Sequence, residues 1–299
     1  MLPAVARRTI NPILPLALAA VLSGCDPTPG SDPTPSPTAP QQQTATSPTE
    51  SDPSPEPPRR IAPFESPGDL ADVLADAEQA LADPGTAEAE RTRWAHAHQQ
   101  AYRDLAANPQ WREPVRNALP EAFRETFDAT FRAVRQLRQL HTPESDVPSG
   151  WEIHPPPPLD ELRGYYEEAE QAYGVPWSVL AAIHLVETRF GRIHGDSNAG
   201  AQGPMQFLPE TWQAYGDGDV HDPRDAIMGA GRYLAASGAP DNLRQALFAY
   251  NRSEHYVAAI LAHAEAMRLA DHYADAYHRW RVYFRTDEGD VVLEEGYGT

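Results

Sequence analysis

The chain has 299 residues, enough for one or two domains, and a formal net charge of −19 from 24 basic and 43 acidic residues. This excess of acid argues against nucleic acid as a partner and against electrostatic attachment to anionic lipid. Cys25 is the only cysteine, which excludes disulfides within the chain, thiolate catalysis and cysteine-bound zinc.

The first 24 residues have the pattern of an export signal. Arg7 and Arg8 precede an apolar run over 13–22, and small residues follow. The run is too short and too weakly apolar for a membrane-spanning helix. The sequence LSGC resembles a bacterial lipobox, which implies cleavage before Cys25 and a lipid on that cysteine. The alternative is an ordinary secretory signal in which the cysteine is incidental.

Residues 25–62 predict a disordered tether. Eleven prolines, many Ser and Thr residues and no aromatic residue occur between Asp26 and Arg60. Such a segment buries too little apolar area to offset the entropy of ordering it. In polyproline form it would extend to about 100 Å, far enough to carry a folded body away from a membrane. A disordered spacer with no requirement for reach explains the same composition.

Residues 63–145 predict an N-terminal helical region. Ser66 is placed to cap a first helix, with Pro67 at its first position. Further helices are expected at about 86–107 and 120–140, and the leucines of the first helix recur at the spacing of one buried face. Prolines at 155–158 exclude helix from the connector that follows. We expect these helices to pack on the next region as one unit.

Residues 159–279 predict a second helical region. Helices are expected near 159–173, 176–190, 222–237, 241–250 and 253–278. Asp222 is a good helix start and Gly238 a good stop. The stretch 191–221 is rich in Gly, Asn and Asp and suits the lining of a cleft more than a core. In the tail, 280–299, apolar residues flank DEGD and predict a β-hairpin.

The sequence AAIHLVETRFGR, residues 181–192, places a carboxylate on the apolar face of a helix. At about 100° per residue, Glu187 falls between Ile183 and Leu180. Apolar surroundings raise the pKa of a carboxyl, as the role of general acid requires. A buried ion pair between Glu187 and Arg189 or Arg192 explains the pattern equally well.

Two later segments, SNAGAQGPMQFLPETW at 197–212 and FAYN at 248–251, carry groups suited to a sugar chain. Gly203 permits a close approach to the backbone. Gln206, Tyr250 and Asn251 offer amide and phenol groups to sugar hydroxyls and acetamido arms. Taken alone, Tyr250 and Phe207 are more typical of a core.

Together, VETRFGR, AGAQGPMQFLPETW and AYN resemble the lytic transglycosylases of bacterial cell walls, most of all their membrane-bound B type. The resemblance covers residues 160–270. It implies a mainly α fold: a lysozyme-like, α-rich catalytic domain at 159–279 with additional N-terminal helices and a short C-terminal β-hairpin. It also implies that Glu187 is the sole catalytic acid and base. The substrate-binding residues it implies are Thr188 (where the family usually has Ser), Gly203, Met205, Gln206, Phe207, Tyr250 and Asn251.

The chemistry implied by the resemblance is cleavage of peptidoglycan glycan strands without water. Glu187 would protonate the oxygen between MurNAc and GlcNAc, and the MurNAc 6-hydroxyl would close on C1 to give a 1,6-anhydro end. A conventional glycosidase needs two carboxylates, and no second one occupies a motif position. Two alternatives remain: a lysozyme-type hydrolase that uses Asp196, and an inactive lipoprotein that only holds glycan.

Metal sites are not favoured by the sequence, and no cofactor is expected. HLVET lacks the second histidine of the H-x-x-E-H zinc motif because Thr188 stands there. Asp217, Asp219, Asp222 and Asp225 lie where B-type proteins can carry a calcium loop, but their spacing is shortened and irregular. A solvated turn before a helix is favoured.

The expected location follows from the signal and the resemblance. We expect an exported monomer, held at the outer face of the cytoplasmic membrane through the lipid on Cys25 alone and facing the cell wall. Its expected partners are peptidoglycan glycan strands.

Overall fold

The computed structural model of the protein describes residues 59–148 and 150–299, without the side chains of Arg59 and Arg60. The expected signal, Cys25 and nearly all of the tether lie outside the described residues. Within the described ranges the fold is mainly helical, which confirms the predicted fold class. No helix in these ranges is long and apolar enough to cross a membrane.

Helices make up most of the described part of the fold. In chain order they are α1 Pro67–Ala82, α2 Glu88–Ala107, α3 Arg112–Ala118, α4 Arg124–Leu140, α5 Leu159–Tyr173, α6 Trp177–Thr188, α7 Pro209–Tyr215, α8 Pro223–Ala236, α9 Leu243–Tyr250, α10 Glu254–Leu269 and α11 His272–His278. Short 3₁₀ turns at Pro109–Trp111 and Glu121–Phe123 lead into α3 and α4.

Side-chain caps explain why two helices begin where the sequence predicts. Ser66 Oγ accepts a hydrogen bond from the Asp69 amide at 3.1 Å at the start of α1. Asp222 Oδ1 accepts one from the Asp225 amide at 2.9 Å at the start of α8. Each oxygen satisfies an amide that has no partner inside its helix. Both predicted starts are confirmed.

The structure differs from the predicted helices in two respects. α3 and α7 lie where no helix was predicted, because seven-residue helices are too short to show a clear period. The single helix predicted at 253–278 is two helices, α10 and α11. The chain is extended at Ala270, which ends α10, and the break lets Tyr273 of α11 reach Glu78 of α1.

Five short strands form two small sheets. They are β1 Arg59–Arg60, β2 Glu152–Ile153, β3 Ile193–His194, β4 Val282–Thr286 and β5 Gly289–Leu293. β4 and β5 form the predicted hairpin, which is confirmed. β1 pairs with the outer side of β5, and β2 pairs with β3. Neither pairing was predicted, because two-residue strands leave no alternation in the sequence.

The N-terminal helices pack directly on the helices that follow. α4 lies along α10, and the buried hydroxyls of Thr130 and Tyr277 are 2.8 Å apart. The largest apolar core is formed by α5, α6 and α8–α11, together with Ala129 of α4. α6 is therefore held on several sides, and its position in the fold is fixed by packing.

A buried polar cluster also joins the two regions. Glu78 of α1 is fully buried and accepts hydrogen bonds from the hydroxyls of Tyr102 of α2 and Tyr273 of α11. His98 and His272 lie 3.4 and 3.6 Å from its two oxygens. A buried carboxylate is costly without such partners, so this cluster favours one arrangement of α1, α2 and α11.

Candidate active site

Glu187 is the penultimate residue of α6. The helix is buried continuously from Ser178 to Leu185, so it runs through the core, and Val186 and Glu187 near its end are partly exposed. Arg189 and Phe190, with φ of 56° and 61°, end it in the left-handed region. The packing of α6 therefore fixes the backbone that carries the Glu187 carboxyl.

The Glu187 carboxyl sits in desolvated surroundings, although the residue keeps part of its surface exposed. Burial raises the pKa of Glu187 to about 7, while a hydrogen bond from the Tyr256 hydroxyl to Oε1, at 2.6 Å, acts in the opposite direction. A carboxyl with this pKa is substantially protonated at neutral pH. It can therefore donate a proton and, once ionised, accept one.

The two arginines that the sequence offered as ion-pair partners of Glu187 are engaged elsewhere. Arg192 forms an ion pair with Glu295 and donates to the carbonyl of His278. Arg189 donates to the carbonyl of Leu185 at 2.7 Å. Within the described part of the chain, Glu187 has no ion pair, so the reading of it as half of a structural salt bridge is not supported.

The Gly-rich motif folds into a tight turn. Gln202 and Phe207 exchange two backbone hydrogen bonds of 2.9 Å, which close the turn over 203–206. Gly203 has a φ of 71°, and a Cβ there would lie 1.9 Å from the carbonyl oxygen of Val220. No other residue fits that approach. Gln206 also has a positive φ, 51°, and its side-chain amide donates to the Gly203 carbonyl at 3.0 Å.

Thr188 ties the end of α6 to this turn. Its hydroxyl donates to the Pro204 carbonyl at 2.6 Å and accepts from the Gly191 amide at 3.1 Å. Only 1% of the residue is exposed. The hydroxyl of Thr188 thus connects the end of α6 to the turn beside Glu187, and the contact with substrate implied by the resemblance stays a prediction.

Tyr250 provides a second tie to the turn. Its hydroxyl donates to the Met205 carbonyl at 2.6 Å, and its ring stacks on that of Tyr256 with centroids 6.5 Å apart. The negative charge of Glu187 contributes to the raised pKa of Tyr250, after burial. Tyr250 therefore lies near the carboxyl, as the resemblance implied, but the direct hydrogen bond comes from Tyr256.

The remaining residues implied by the resemblance differ in exposure. Met205 is fully buried, and Phe207 and Asn251 are 3% and 7% exposed. Phe207 packs on Tyr250 with ring centroids 6.0 Å apart. The side chains of Met205 and Phe207 thus pack into the core below the surface of the turn. Gln206 keeps part of its surface exposed and available to a ligand.

Tyr256 is the site residue that the sequence reasoning missed. It lies in the first turn of α10, is 1% exposed, and is followed by buried Val257. In sequence it is one more aromatic residue on an apolar helix face. Its contact with a carboxyl 69 positions earlier leaves no local pattern that reasoning on spacing detects.

The other acidic candidates lie in exposed turns or, for Asp225, in the first turn of α8. Asp196 accepts a hydrogen bond of 3.4 Å from the side chain of Gln202. Asp225 Oδ2 accepts from the Asp219 amide at 3.0 Å, so these carboxylates hold the turn that leads into α8. Within residues 59–148 and 150–299, no group of three or more His, Cys, Asp or Glu side chains is arranged to hold a metal ion.

Tyr256→Phe is expected to lower activity about tenfold and to shift its pH dependence. Phenylalanine keeps the ring stack with Tyr250 but cannot donate the hydrogen bond to Glu187. Hydrogen bonds to charged acceptors are among the stronger ones, and this one lowers the pKa of Glu187. The pKa of Glu187 therefore rises further, and the fall in kcat/KM at alkaline pH moves to higher pH.

The measurement for Tyr256 is a pH–rate profile with purified sacculi. Tyr277→Phe is the matched control, because it removes a buried tyrosine hydroxyl whose partner is Thr130 and not Glu187. A profile for Tyr256→Phe that coincides with that of the control contradicts the role given to the Tyr256 hydroxyl.

The comparisons with known proteins concern the segment that holds these residues. Residues 164–268 match the family model described as "Transglycosylase SLT domain". "Membrane-bound lytic murein transglycosylase F" of Thiobacillus denitrificans is 33% identical over 110 residues, 34% of this chain and 23% of that protein. "Membrane-bound lytic murein transglycosylase F 1" of Alkalilimnicola ehrlichii is 30% identical over 132 residues, 42% of this chain and 25% of that protein.

These matches are partial. The chain spans about a quarter of the length of the curated relatives it matches, and no solved structure matches it significantly. Both relatives are named as F type. The resemblance to lytic transglycosylases is therefore supported, whereas the assignment to the B type is not. Over the segment that carries Glu187, the 203–207 turn, Tyr250 and Tyr256, this protein is thus similar to the SLT-domain lytic murein transglycosylases.

Proposed function

We propose that the protein is a lytic transglycosylase that cleaves the β-1,4 bond between MurNAc and GlcNAc in peptidoglycan and leaves 1,6-anhydro-MurNAc ends. One observation carries this proposal: the Glu187 carboxyl accepts a hydrogen bond from Tyr256 and has no cation beside it among the described residues, in surroundings whose burial raises its pKa to about 7. A protein that only binds glycan has no need of such a group, and pKa values shifted in this way are typical of catalytic acids. The similarity of residues 164–268 to the SLT domain supports the same activity.

The proposed reaction uses Glu187 twice. Protonated Glu187 donates to the glycosidic oxygen as the C1–O bond breaks, and GlcNAc leaves as the alcohol. The acetamido group of MurNAc stabilises the positive charge at C1. The MurNAc 6-hydroxyl then attacks C1, and ionised Glu187 takes its proton. The carboxyl is protonated again at the end, and no water is consumed.

The surroundings of Glu187 suit both steps. Burial keeps the carboxyl protonated before the first step, and the Tyr256 hydroxyl, at 2.6 Å, stabilises the carboxylate that forms in between. Thr188 and Tyr250 hold the 203–206 turn through the Pro204 and Met205 carbonyls. We infer that this turn, with Gln206, positions the glycan against Glu187, because positioning of the reacting groups supplies much of the rate.

Digestion of purified sacculi followed by mass spectrometry tests the activity. The expected main products are muropeptides that end in 1,6-anhydro-MurNAc, which are lighter than the hydrolytic products by the mass of one water. Failure of the purified protein to release any soluble muropeptide contradicts the proposal and favours the inactive, glycan-holding alternative. The B type remains a prediction from the motifs alone.

We further propose that a lipid on Cys25 anchors the protein at the outer face of the cytoplasmic membrane. The LSGC motif supports this, and both relatives carry "membrane-bound" in their names. Cys25→Ala is expected to move the protein from the membrane fraction to the soluble exported fraction. Alanine cannot carry the lipid, so the variant loses the membrane affinity that the lipid supplies. Immunoblots of the two fractions measure this. Continued association of Cys25→Ala with the membrane contradicts the anchor.

A further inference from the structure

The turn between α9 and α10 is held at the candidate active site from both of its ends. Tyr250 is the last residue of α9, and its hydroxyl donates to the Met205 carbonyl. Tyr256 lies in the first turn of α10, and its hydroxyl donates to Glu187. The residues between the two tyrosines, 251–255, therefore lie next to the candidate catalytic carboxyl.

Arg252 is at the apex of this turn. The Ser253 amide donates to the Asn251 carbonyl at 2.8 Å, and a hydrogen bond between residues two apart makes a γ-turn with Arg252 at its centre. The Cα atom of Arg252 lies within about 7 Å of that of Tyr250, because only two residues separate them. Arg252 is exposed, so its side chain extends into solvent from a backbone that the site residues position.

The guanidinium group of Arg252 has no partner in the protein. Neither Arg252 nor Arg268 forms an ion pair or a side-chain hydrogen bond among the described residues. The other arginines of residues 164–268 bind carboxylates, backbone carbonyls or a tyrosine hydroxyl. Glu254, the carboxylate nearest to Arg252 in sequence, pairs with Arg244. The five N–H donors of Arg252 are thus free to bind a ligand.

The charge of Arg252 lies beside the aromatic rings of the site. Burial raises the pKa of Tyr233, and a hydrogen bond with Ser237 and the positive charge of Arg252 oppose this rise. The ring of Tyr233 lies between those of Tyr215 and Tyr250, with centroid distances of 4.9 and 5.7 Å. An unpaired cation is therefore present where a glycan strand would have to pass to reach the carboxyl.

The ligand that suits this cation is a carboxylate. A guanidinium group binds a carboxylate through two parallel hydrogen bonds. In a protein with a net charge of −19, a substrate that bears carboxylates is otherwise repelled. Under the proposed function the sugar that reacts is MurNAc, which carries a peptide stem with free carboxylates. Plain GlcNAc has no group that requires a positive charge.

We propose that Arg252 binds a carboxylate of the peptide stem on the MurNAc beside the cleaved bond, and so makes the enzyme prefer strands that carry stems. This role in substrate selection rests on the proposed function and is separate from the proton transfers of Glu187. Because the stem takes no part in the reaction, the contact is the same before and during bond cleavage. Its effect is therefore expected in KM more than in kcat.

Initial rates on two soluble substrates test the preference: uncrosslinked glycan strands with their stems, and the same strands with the stem carboxylates converted to amides. We expect the wild type to have a KM about fivefold higher on the amidated strands, the upper range for an exposed ion pair. Arg252→Gln should have the higher KM on both substrates. Arg252→Lys keeps the charge and should keep most of the preference.

Arg268→Gln is the matched control. It removes the same charge from an arginine that is also exposed and unpaired, twelve residues after Tyr256 on α10, or about 18 Å along the helix. It should discriminate between the two substrates as the wild type does. A wild type that does not discriminate, an Arg252→Gln variant that still does, or an equal loss of preference in Arg268→Gln overturns the proposal.

Binding measurements separate this proposal from the proposed function. Calorimetry on Glu187→Gln, with and without Arg252→Gln, compares the affinities for acid and amidated strands when no bond is cleaved. The same fivefold difference, lost with Arg252→Gln, supports the role of Arg252 even if the wild type fails to cleave sacculi. Equal affinities, together with normal formation of 1,6-anhydro ends by the wild type, reject the role of Arg252 and leave the proposed function standing.

Discussion

Glu187→Gln is expected to abolish the cleavage of sacculi. The amide keeps the shape of the side chain but cannot give a proton to the leaving oxygen or take one from the MurNAc 6-hydroxyl. General acid–base catalysis typically contributes about 10²–10⁴-fold to a rate, and here one carboxyl would serve both proton transfers. The initial rate of soluble muropeptide release from purified sacculi measures the loss.

The control for this variant is Glu121→Gln. Glu121 is an exposed glutamate in the turn before α4 and lies outside residues 164–268, so the same chemical change there is expected to leave the rate unchanged. Should Glu187→Gln release muropeptides nearly as fast as Glu121→Gln, the assignment of Glu187 is wrong. Thermal melting of both variants separates loss of catalysis from loss of folding.

The same substitution is expected to stabilise the protein at neutral pH. Burial raises the pKa of Glu187 from 4.5 to about 7. Below pH 4.5 the carboxyl is protonated in both folded and unfolded protein and has no effect. Between pH 4.5 and 7 the unfolded chain loses this proton first, so the free energy of unfolding decreases as pH rises and levels off above 7. The free energy of unfolding of Glu187→Gln, relative to that of the wild type, should therefore be on the order of 2 kcal/mol larger at pH 8 than at pH 4.

The setting of Glu187 was predictable because it depends on local periodicity. Leu180 and Ile183, which flank it on the helical projection, are both fully buried in α6. The caps at Ser66 and Asp222 were predictable for the same reason, since each depends on a residue three positions further on. Patterns within one or two helical turns survive in the sequence whatever the tertiary structure.

The partners of Glu187 were not predictable, because they depend on the assembled fold. The sequence left a structural pair with Arg189 or Arg192 open. For Arg192 the question is answered by Glu295, which follows the C-terminal hairpin and lies 103 residues after Arg192 in the chain. For Arg189 it is answered by the carbonyl of Leu185. The contact between Tyr256 and Glu187 likewise joins two helices across the core.

The 203–206 turn was predictable only in part. The sequence predicted a close approach to the backbone at Gly203 and favoured a sugar chain there, but it is the Val220 carbonyl that fills the space of the missing side chain. The positive φ of Gln206 was also unexpected, since a non-glycine residue adopts it only where surrounding contacts hold it there. At Gln206 the hydrogen bond from its own side chain to the Gly203 carbonyl is one such contact.

The identity of the nucleophile separates the proposed transglycosylase from a lysozyme-type hydrolase. A hydrolase needs a second carboxylate to activate water or to attack C1, and Asp196 was the best candidate in the sequence. In the structure Asp196 is exposed and its carboxylate accepts a hydrogen bond of 3.4 Å from Gln202. Glu187, by contrast, has a carboxyl in desolvated surroundings, and under the proposed function the nucleophile is the MurNAc 6-hydroxyl.

Digestion of sacculi in oxygen-18 water is therefore expected to leave the new glycan ends unlabelled. The oxygen that closes on C1 comes from the MurNAc 6-hydroxyl, so no atom of solvent enters the product. Asp196→Asn should digest sacculi at nearly the wild-type rate and give the same unlabelled 1,6-anhydro ends, whereas loss of a required second carboxylate would reduce the rate by about 10²-fold or more. Labelled reducing-end MurNAc as the main product, together with an inactive Asp196→Asn variant, would instead assign Asp196 to the activation of water and make the enzyme a hydrolase.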